Sequence, residues 1–337
     1  MNIASRLLLL LAALAPSLAL SQQTPPAPED KSHSLPWFST GQSMLTDPRA
    51  AGAEAASKAK AALGSSSAKL IVVFTAKPQY GTAVVDGVAS VFDRALIYGG
   101  EAPSPLTQDG NFADQGPDPK SGVAVLAIGG DCQVTVATAP VAKSTNRGER
   151  FKVHYDSGRS IGNQLKPVYA TTDSGKFVLT FGSQHAGPNE GFAEGMIDAL
   201  GAKLKMAGGA TGGDNSKQIV AGELVDSTNI AILITGNFKV ATASSRDEPL
   251  KATGDVLKSV TAGTPKPAVV FFFQDHLRRN ALIKDGTLAQ ESKLLADASG
   301  GAPLFGLDDS GEIGHDAPAA VPVGGAMRTL AAAIIPR

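Results

Sequence analysis

The stretches of sequence that decide the fold are three short apolar runs, each followed by a helical pattern and then by glycine. The runs are KLIVVFT (residues 69–75), KFVLTFG (176–182) and PAVVFFF (267–273). Apolar, β-branched and aromatic residues in runs of this length are typical of buried strands. Because the same order of patterns recurs, the sequence predicts a chain built from about three similar units.

A glycine-rich segment closes each unit. The first contains Gly99, Gly100 and Glu101, the second is AGGATGGD (207–214), and the third is GLDDSGEIG (306–314). Glycine lets the backbone approach a ligand or another segment closely. We therefore expect the three segments to occupy equivalent positions, and at least two of them to border one cavity.

These glycine-rich segments also carry a resemblance to a known family. The segments IYGGEAPSPLTQDG (97–110) and MAGGATGGDNSKQIVAGELVDSTNIAILITGNFKVATASS (206–245), with PLFG and GEIG between 303 and 314, resemble parts of the FIST sensory domain in order and spacing. The resemblance spans residues 48–335. It implies a FIST N-type region at 47–247 and a C-type region at 248–337.

The resemblance implies a ligand-sensing module of the kind usually found within signalling proteins. Amino acids are the ligands proposed for the family, and some members hold haem. The chain departs from the family pattern after the third long strand, where the family often has Cys and this chain has Gln274 and Asp275. It also departs in compartment, because the family is usually cytoplasmic and this N-terminus indicates export.

The order of patterns predicts an α/β fold with mixed parallel and antiparallel sheets flanked by helices. It is built from about three helix–strand–helix–strand pseudo-repeats. Strand-like runs follow one another across short links at Asp226-Ser227 and Gly236-Asn237. Links this short favour antiparallel pairing and argue against a regular Rossmann sheet.

Individual elements follow from local patterns. Asp47 can cap a helix over 47–63, with Pro48 suited to its first position. Residues 103–121 are predicted to form a polar, proline-rich loop. Helices are further predicted at 82–94, 157–165, 191–200, 254–260 and 288–298, and strands at 122–128, 133–139, 218–225, 229–235, 238–244 and 324–335.

The N-terminus has the pattern of a secretory signal peptide. Arg6 precedes an apolar run, and small residues precede a cleavage site after Ser21. An uncleaved anchor is the alternative, while the absence of Cys near Ser21 argues against a lipoprotein signal. Residues 22–46 are predicted to be a disordered tail. The mature protein is therefore expected to be secreted or periplasmic, with no membrane span after cleavage.

The net charge and the single cysteine argue against nucleic acid or an anionic membrane as a partner and against an internal disulfide. The formal net charge is −1, so nothing in the composition favours nucleic acid or an anionic membrane. The single Cys132 cannot form an internal disulfide. We expect it to be a buried thiol at the start of a strand, with an intermolecular disulfide as the alternative.

The second and third glycine-rich segments supply most of the candidate ligand-binding residues. The second lacks the Lys-Ser/Thr of a P-loop, but its backbone N–H groups could hold a carboxylate; tight turns are the alternative. The third places acids between glycines, with Glu101 as a weaker counterpart in the first unit. The candidates are Gly99, Gly100, Glu101, Gly208, Gly209, Thr211, Gly213, Asp214, Asp309, Ser310, Gly311 and Glu312.

Three further candidates follow the ends of the long strands. His276 and Arg278 follow the third strand, and His185 follows the second. Arg278 stands where the family pattern has an arginine, so it could clamp a carboxylate. A salt bridge with Asp275 or with the nearby acidic loop is the alternative. We predict that Arg278 and Glu312 bind ligand from polar loops and do not hold the fold together.

Catalytic and cofactor motifs are weak. The sequence has no GxSxG elbow and no Cys–His pattern. The run from Glu312 to His315 and Asp316 resembles metal-ligand spacing, but no metal site is assigned. Three-fold repeated folds do host amide-ring hydrolases, which need a Ser–Lys pair in each repeat. Neither Ser183 nor Ser310 has an evident matching lysine.

The sequence thus predicts an exported, small-ligand-binding sensory protein of FIST type without its own output domain. An amino acid or a small carboxylate would be the ligand, and any signalling would go through a separate partner. No cofactor is assigned. The alternative is an enzyme, a hydrolase, or a haem- or metal-binding protein on the same scaffold.

Overall fold

Three six-stranded sheets form the framework of the computed structural model. The structure describes residues 36–76, 80–102, 104–111, 122–142, 146–183, 189–211, 217–263, 266–309, 311–316, 321–325 and 328–337. All of them belong to one unit, Ser32–Arg337. The predicted signal peptide lies outside the described residues.

The strands fall into three sets of six in chain order. The first set is β1 (Pro36–Ser43), β2 (Ala68–Thr75), β3 (Ile97–Glu101), β4 (Ser104–Thr107), β5 (Gly110–Asn111) and β6 (Val123–Gly130). The second is β7 (Cys132–Pro140), β8 (Gly175–Gly182), β9 (Met206–Ala210), β10 (Lys217–Val220), β11 (Glu223–Asp226) and β12 (Thr228–Gly236). The third is β13 (Phe238–Ser245), β14 (Val269–Asp275), β15 (Leu304–Asp309), β16 (Glu312–Asp316), β17 (Val321–Gly325) and β18 (Thr329–Pro336).

The helices lie between the strands of each set. They are α1 (Pro48–Leu63), α2 (Thr82–Ala89), α3 (Arg147–Thr171), α4 (Glu190–Leu200), α5 (Pro249–Thr261), α6 (His276–Lys284) and α7 (Leu288–Ser299), with a short 3-10 turn at Arg94–Leu96. Helix α1 starts as predicted, because the Asp47 side chain accepts from the Ala50 N–H at 2.7 Å. Among the described residues, no helix is both long enough and apolar enough to cross a bilayer.

Each set of strands is one repeat, and the three repeats exchange strands. The sheet orders are β1-β6-β2-β3-β10-β11, β7-β12-β8-β9-β16-β17 and β13-β18-β14-β15-β4-β5, which we call sheets 1, 2 and 3. Every repeat therefore builds four strands of its own sheet and donates a two-stranded ribbon to the sheet of a neighbour. Among the described strands, the parallel pairs are β2–β3, β8–β9 and β14–β15. This arrangement confirms the predicted mixed α/β fold.

The strand register defines which residues are equivalent between repeats. Val73 pairs with Gly99, Thr180 with Gly208, and Phe272 with Gly306. One step further along, Phe74, Phe181 and Phe273 are equivalent. The three glycine-rich segments therefore occupy matching positions, as predicted.

Residues from all three sheets share one central core. Phe74 lies edge-on to Phe181, with ring centroids 5.1 Å apart, and stacks on Phe305 at 4.9 Å. Burying each phenylalanine stabilises the fold by about 2 kcal/mol. The outer face of each sheet packs on its own helices in a separate cluster: α1 and α2, then α3 and α4, then α5 and α7. Cys132 lies in the central core and is buried, as predicted.

Several predicted boundaries were wrong. The tail predicted at 22–46 contains β1, which pairs with β6 along its whole length. The loop predicted at 103–121 contains β4 and β5, and the strand predicted at 218–225 is the hairpin β10–β11. The last predicted strand is two strands, β17 and β18. Two of these errors, at β1 and β4, concern strands whose partners lie far away in the sequence. The other two each joined two strands into one: a tight turn divides β10 from β11, and β17 and β18 lie in different sheets.

Two helices also differ from the prediction. The weak helix predicted at 157–165 is the much longer α3, which continues through Pro167. Helix α6 stands where a polar loop was expected, and the Asp275 side chain caps it by accepting from the Leu277 N–H at 2.7 Å. A cap of this kind is a short polar motif, and the local sequence alone does not distinguish it from ligand-binding chemistry.

Candidate functional site

The glycines at the three equivalent positions are required by strand packing. A Cβ on Gly99 would lie 2.0 Å from the Val73 carbonyl oxygen, on Gly208 1.8 Å from that of Thr180, and on Gly306 1.7 Å from that of Phe272. No larger residue fits without separating the strands. These glycines lie inside β3, β9 and β15. The turn or backbone nest suggested for 207–214 therefore does not include Gly208 and Gly209, and residues 212–214 lie outside the described residues.

A row of three residues crosses each sheet at the next position, and all three rows face the central core. Residues directly opposite one another in a sheet share a face. The rows are Phe74–Gly100–Gln218, Phe181–Gly209–Glu312 and Phe273–Leu307–Pro105. The last member of each row comes from the exchanged ribbon. Two junctions between repeats thus bring a polar side chain over a glycine, and the third does not.

Both polar side-chain atoms of Gln218 have a hydrogen-bond partner within its junction. Its Oε1 accepts from the Thr211 hydroxyl at 2.6 Å, and its Nε2 donates to the Thr211 carbonyl at 2.9 Å. A Cβ on Gly100 would lie 2.7 Å from Gln218 Oε1, so the glycine makes room for this amide. The junction between repeats 1 and 2 is therefore a closed structural contact.

Glu312 occupies the equivalent position but is not fully bonded. Its Oε1 accepts from the Asp275 N–H at 2.9 Å, whereas its Oε2 is buried without a hydrogen-bond partner among the described residues. The side chain is 0% exposed, and burial raises the pKa of this carboxyl well above its usual value. A buried carboxylate oxygen without a partner is costly, so the group retains its proton or requires a cation or a donor.

The positive charge of Arg278 acts on this carboxyl and opposes the rise in its pKa. Arg278 lies in α6, is 1% exposed, and donates from Nη2 to the Asp247 carbonyl at 2.5 Å. Burial lowers the pKa of its guanidinium, and the charges of Glu312, Glu291, Asp275 and Glu248 oppose that shift. Arg278 and Glu312 are thus buried in regular elements, contrary to the polar loops that the sequence suggested. Their role in ligand binding stays a prediction.

A second buried polar cluster lies on the outer face of sheet 3. Gln274 Nε2 donates to Glu291 at 3.0 Å and to Asp308 at 2.8 Å, and the Arg279 Nε lies 3.0 Å from Asp308. Thr253 donates to Glu291 at 2.7 Å. We call these five residues the outer cluster. Since Gln274 and Asp275 are successive strand residues, their side chains leave the sheet on opposite faces.

Burial shifts both acids of the outer cluster in the same direction. It raises the pKa of Glu291 to about 7, helped by the charge of Asp308. It raises the pKa of Asp308 to about 6, opposed by Arg279 and by the hydrogen bond from Gln274. Sequence reasoning missed this cluster, because Glu291 comes from a helix whose position on the sheet no local pattern reveals.

The second repeat carries a related set of buried polar groups. The Ser183 N–H donates to Asn229 Oδ1 at 2.9 Å, and Asn229 Nδ2 donates to the Ser157 hydroxyl at 3.2 Å. Asn189 Nδ2 donates to the Gly311 carbonyl at 3.1 Å, beside Glu312. Ser183 is the register equivalent of Asp275, and its hydroxyl is buried without a partner in the described part of the chain.

The remaining candidate residues from the sequence lie in different parts of the fold, and some lie outside the described residues. Glu101 is buried at the end of β3, and His276 is one-third exposed with Nδ1 3.7 Å from Asp275 Oδ1. Asp309 ends β15, and Gly311 lies directly before β16. His185, Gly213, Asp214 and Ser310 lie outside the described residues. The cavity expected to border two glycine-rich segments is not among those lined by described residues and stays a prediction.

The Glu312–His315 spacing does not bring two metal ligands together. Residues three apart on a strand point to opposite faces, and both lie in β16. His315 Nδ1 instead lies 2.7 Å from the Leu204 carbonyl oxygen. Within the described ranges, no group of three potential metal-ligating side chains is found.

Together, these features define a class: a three-repeat α/β protein with exchanged ribbons and buried polar groups at the junctions between repeats. Within that class, the family model described as the FIST N domain matches residues 69–263. This match covers more than half of the chain, and the chain belongs to the FIST family. No curated protein matches the chain.

Two solved structures resemble the chain over most of its length. One is a cyanuric acid hydrolase described in terms of structural concatenation, with a TM-score of 0.47 and 8% identity. The other is the cyanuric acid hydrolase from A. caulinodans, with a TM-score of 0.46 and 10% identity. Each comparison covers 90% of this chain and 100% of the other chain. Similarity at this level carries no information about chemistry.

Proposed function

We propose that the protein is a sensory binding module of FIST type whose ligand is a small amino acid, bound at the Glu312 junction. The observation that carries this proposal is the buried Glu312 Oε2, which has no partner in the described structure. Both polar side-chain atoms of the equivalent Gln218 have partners, so the missing hydrogen bond is a property of the Glu312 junction and not of the fold.

The charges around Glu312 favour a zwitterion. A ligand ammonium would bond to the open carboxylate oxygen and supply the charge that lets Glu312 ionise. A ligand carboxylate would be attracted to Arg278, which already acts electrostatically on Glu312. A ligand with a carboxylate but no ammonium could interact with Arg278 but would leave Glu312 Oε2 without a partner. We therefore favour an amino acid over a small carboxylate within the same class of ligand.

Export and signalling complete the proposal. The signal-peptide pattern supports a mature chain that begins at Gln22, which N-terminal sequencing of the secreted protein would test; a cytosolic form retaining Met1 would contradict it. The protein would then bind its ligand outside the cytoplasm and transmit the signal through a separate partner.

The hydrolase alternative lacks a supporting observation. Such an enzyme would need an activated hydroxyl, and Ser183 is the buried candidate. The hydrogen bond found at Ser183 connects its N–H to Asn229, and among the described residues no lysine donates to its hydroxyl.

The haem alternative would be revealed by a visible absorption band of the purified protein.

The test is calorimetric titration of the wild type and Glu312→Gln with a panel of amino acids, propionate and propylamine. Ionisation of Glu312 on binding should release a proton, seen as a binding heat that depends on the ionisation enthalpy of the buffer. We expect Glu312→Gln to lose this proton release and about tenfold or more in amino-acid affinity.

Two controls make the titration decisive. Glu223→Gln changes an exposed acid on β11 and should bind like the wild type. Arg278→Lys keeps the buried charge but loses the planar fork, so it should weaken amino acids without unfolding the protein. Unchanged affinity and proton release in Glu312→Gln would overturn the proposal.

A further inference from the structure

An apolar cleft lies at the end of the molecule opposite the Glu312 junction. It has a volume of about 440 Å³ and lies where β1, β14 and β15 begin and β18 ends. Its lining includes Trp37 and Phe38 from β1, with Pro267, Pro303 and Pro336 from repeat 3. Phe38 also packs edge-on against Phe271 of the central core, with centroids 6.3 Å apart. The apolar side of the cleft is therefore continuous with the central core.

Trp37 is the only tryptophan of the chain and stays 38% exposed. Its indole N–H donates to the Ala62 carbonyl of α1 at 3.4 Å, which holds the ring beside the cleft. An exposed indole next to proline rings is a surface that an aromatic group can cover with a gain in apolar burial.

The cleft also has a definite charge. Lys266 lines it, and no aspartate or glutamate is among its described lining residues. Lys266 is exposed and makes no ion pair within the described part of the chain. Its ammonium is thus available to an anionic group held against the apolar wall.

The repeat symmetry shows that this lining is particular to one cleft. By strand register, the residues equivalent to Trp37 are Lys239 and Gln133. Lys239 lines a cleft of similar volume, about 440 Å³, between repeats 2 and 3. That cleft is basic, with Lys176, Lys203 and Lys205 in its wall. Clefts of this size therefore form at equivalent positions in the fold. Of these two, the cleft lined by Trp37 is the one that combines an indole ring, prolines and a single lysine.

We propose that the Trp37 cleft is a second ligand site, for a small aromatic carboxylate. The aromatic ring would pack on Trp37 and the prolines, and the carboxylate would pair with Lys266. The volume lies within the range of small-molecule sites, roughly 300–1,000 Å³. The site is separate from the Glu312 junction, so it does not depend on the proposed amino-acid ligand.

The test uses the fluorescence of the single tryptophan. The wild type is titrated with 3-phenylpropionate, with the uncharged 3-phenylpropanamide, and with hexanoate, which lacks the ring. We expect a saturable change in Trp37 emission for the aromatic acid. Its half-saturating concentration should be about tenfold lower than that of the amide or of hexanoate. Lys266→Gln should remove the difference between acid and amide.

Matched variants separate binding in this cleft from binding elsewhere on the protein. Lys239→Gln, at the position equivalent to Trp37, and Glu312→Gln should both leave the titration unchanged. The proposal is overturned if 3-phenylpropionate gives no saturable change, or if Lys266→Gln retains the preference for the acid. It is also overturned if emission shifts on dilution while sedimentation shows a dimer, because a second copy of the chain would then cover the cleft.

Discussion

At the scale of single residues, one register position carries a different side chain at each of the three junctions. Gln218, Glu312 and Pro105 are equivalent across the three junctions. The glutamine closes its junction with two hydrogen bonds to Thr211, and the proline offers no polar side chain. Of these three residues, the glutamate alone leaves a buried polar atom open within the described structure. One backbone position therefore has three different hydrogen-bonding environments in the three repeats.

The buried acids of the outer cluster should make the free energy of unfolding depend on pH. Burial raises the pKa of Glu291 from 4.5 to about 7. Below pH 4.5 the folded and unfolded chains both hold this proton, so no penalty arises. As the pH rises towards 7, the unfolded chain ionises freely and the folded chain does not. Stability should therefore fall over this window, by about 3 kcal/mol in total for this group.

Glu291→Gln removes this titration and should flatten the dependence of the unfolding free energy on pH between 4.5 and 7. Urea unfolding at several pH values measures it. Asp308 should preserve part of the slope, since burial raises its pKa to about 6. The exposed Glu223→Gln is the matched control. An unchanged slope in Glu291→Gln would show that the burial of Glu291 does not govern this dependence.

At the scale of elements, glycine is needed in the short parallel strands for a steric reason. Gly306→Ala would place a Cβ 1.7 Å from the Phe272 carbonyl oxygen, between β14 and β15. Both strands are buried in a core that cannot yield, so we expect a loss of at least about 2 kcal/mol in the free energy of unfolding. Guanidinium denaturation followed by circular dichroism measures this loss.

Gly254→Ala is the matched control for that substitution. In α5 its Cβ would meet only Leu294 Cδ1, at 3.9 Å, among the described residues. Replacing a helical glycine by alanine should stabilise the protein by about 0.5–1 kcal/mol. A Gly306→Ala protein as stable as the wild type would contradict the steric argument, whatever Gly254→Ala does.

At the scale of the whole molecule, strand exchange makes the repeats depend on one another. Ribbon β4–β5 completes sheet 3, β10–β11 completes sheet 1, and β16–β17 completes sheet 2. Strand β13 also pairs with β18, across the predicted boundary between residues 47–247 and 248–337. The two predicted FIST regions are therefore regions of sequence that share a sheet.

We expect the full chain to unfold in one cooperative transition, and a fragment of residues 36–246 not to fold alone. The fragment keeps β4, β5 and β13 but lacks β14, β15 and β18, so sheet 3 and its share of the central core cannot form. Calorimetry of the full chain and amide exchange of the fragment measure both properties. Native-like protection in the isolated fragment would refute this interdependence.

The sequence by itself determined the features that rest on local patterns. Buried runs such as 69–75 and 176–182 were recognisable as strands because their composition suits no exposed element. The glycines at 99, 208 and 306 could be aligned because each follows its strand after one helix. Repetition of these local signals was enough to predict the class of fold and the equivalence of the three glycine-rich segments.

The tertiary structure decided where those signals meet. No local pattern shows that a ribbon from one repeat completes the sheet of the next, because the pairing is chosen by contacts far apart in sequence. That exchange places Glu312 opposite Gly209 and buries it beside Asp275. Tertiary packing likewise buries Arg278 and Arg279 on one side of α6, where the sequence suggested a polar loop. The residue types were visible in the chain, but their burial, and hence their charge state, depends on packing from all three repeats.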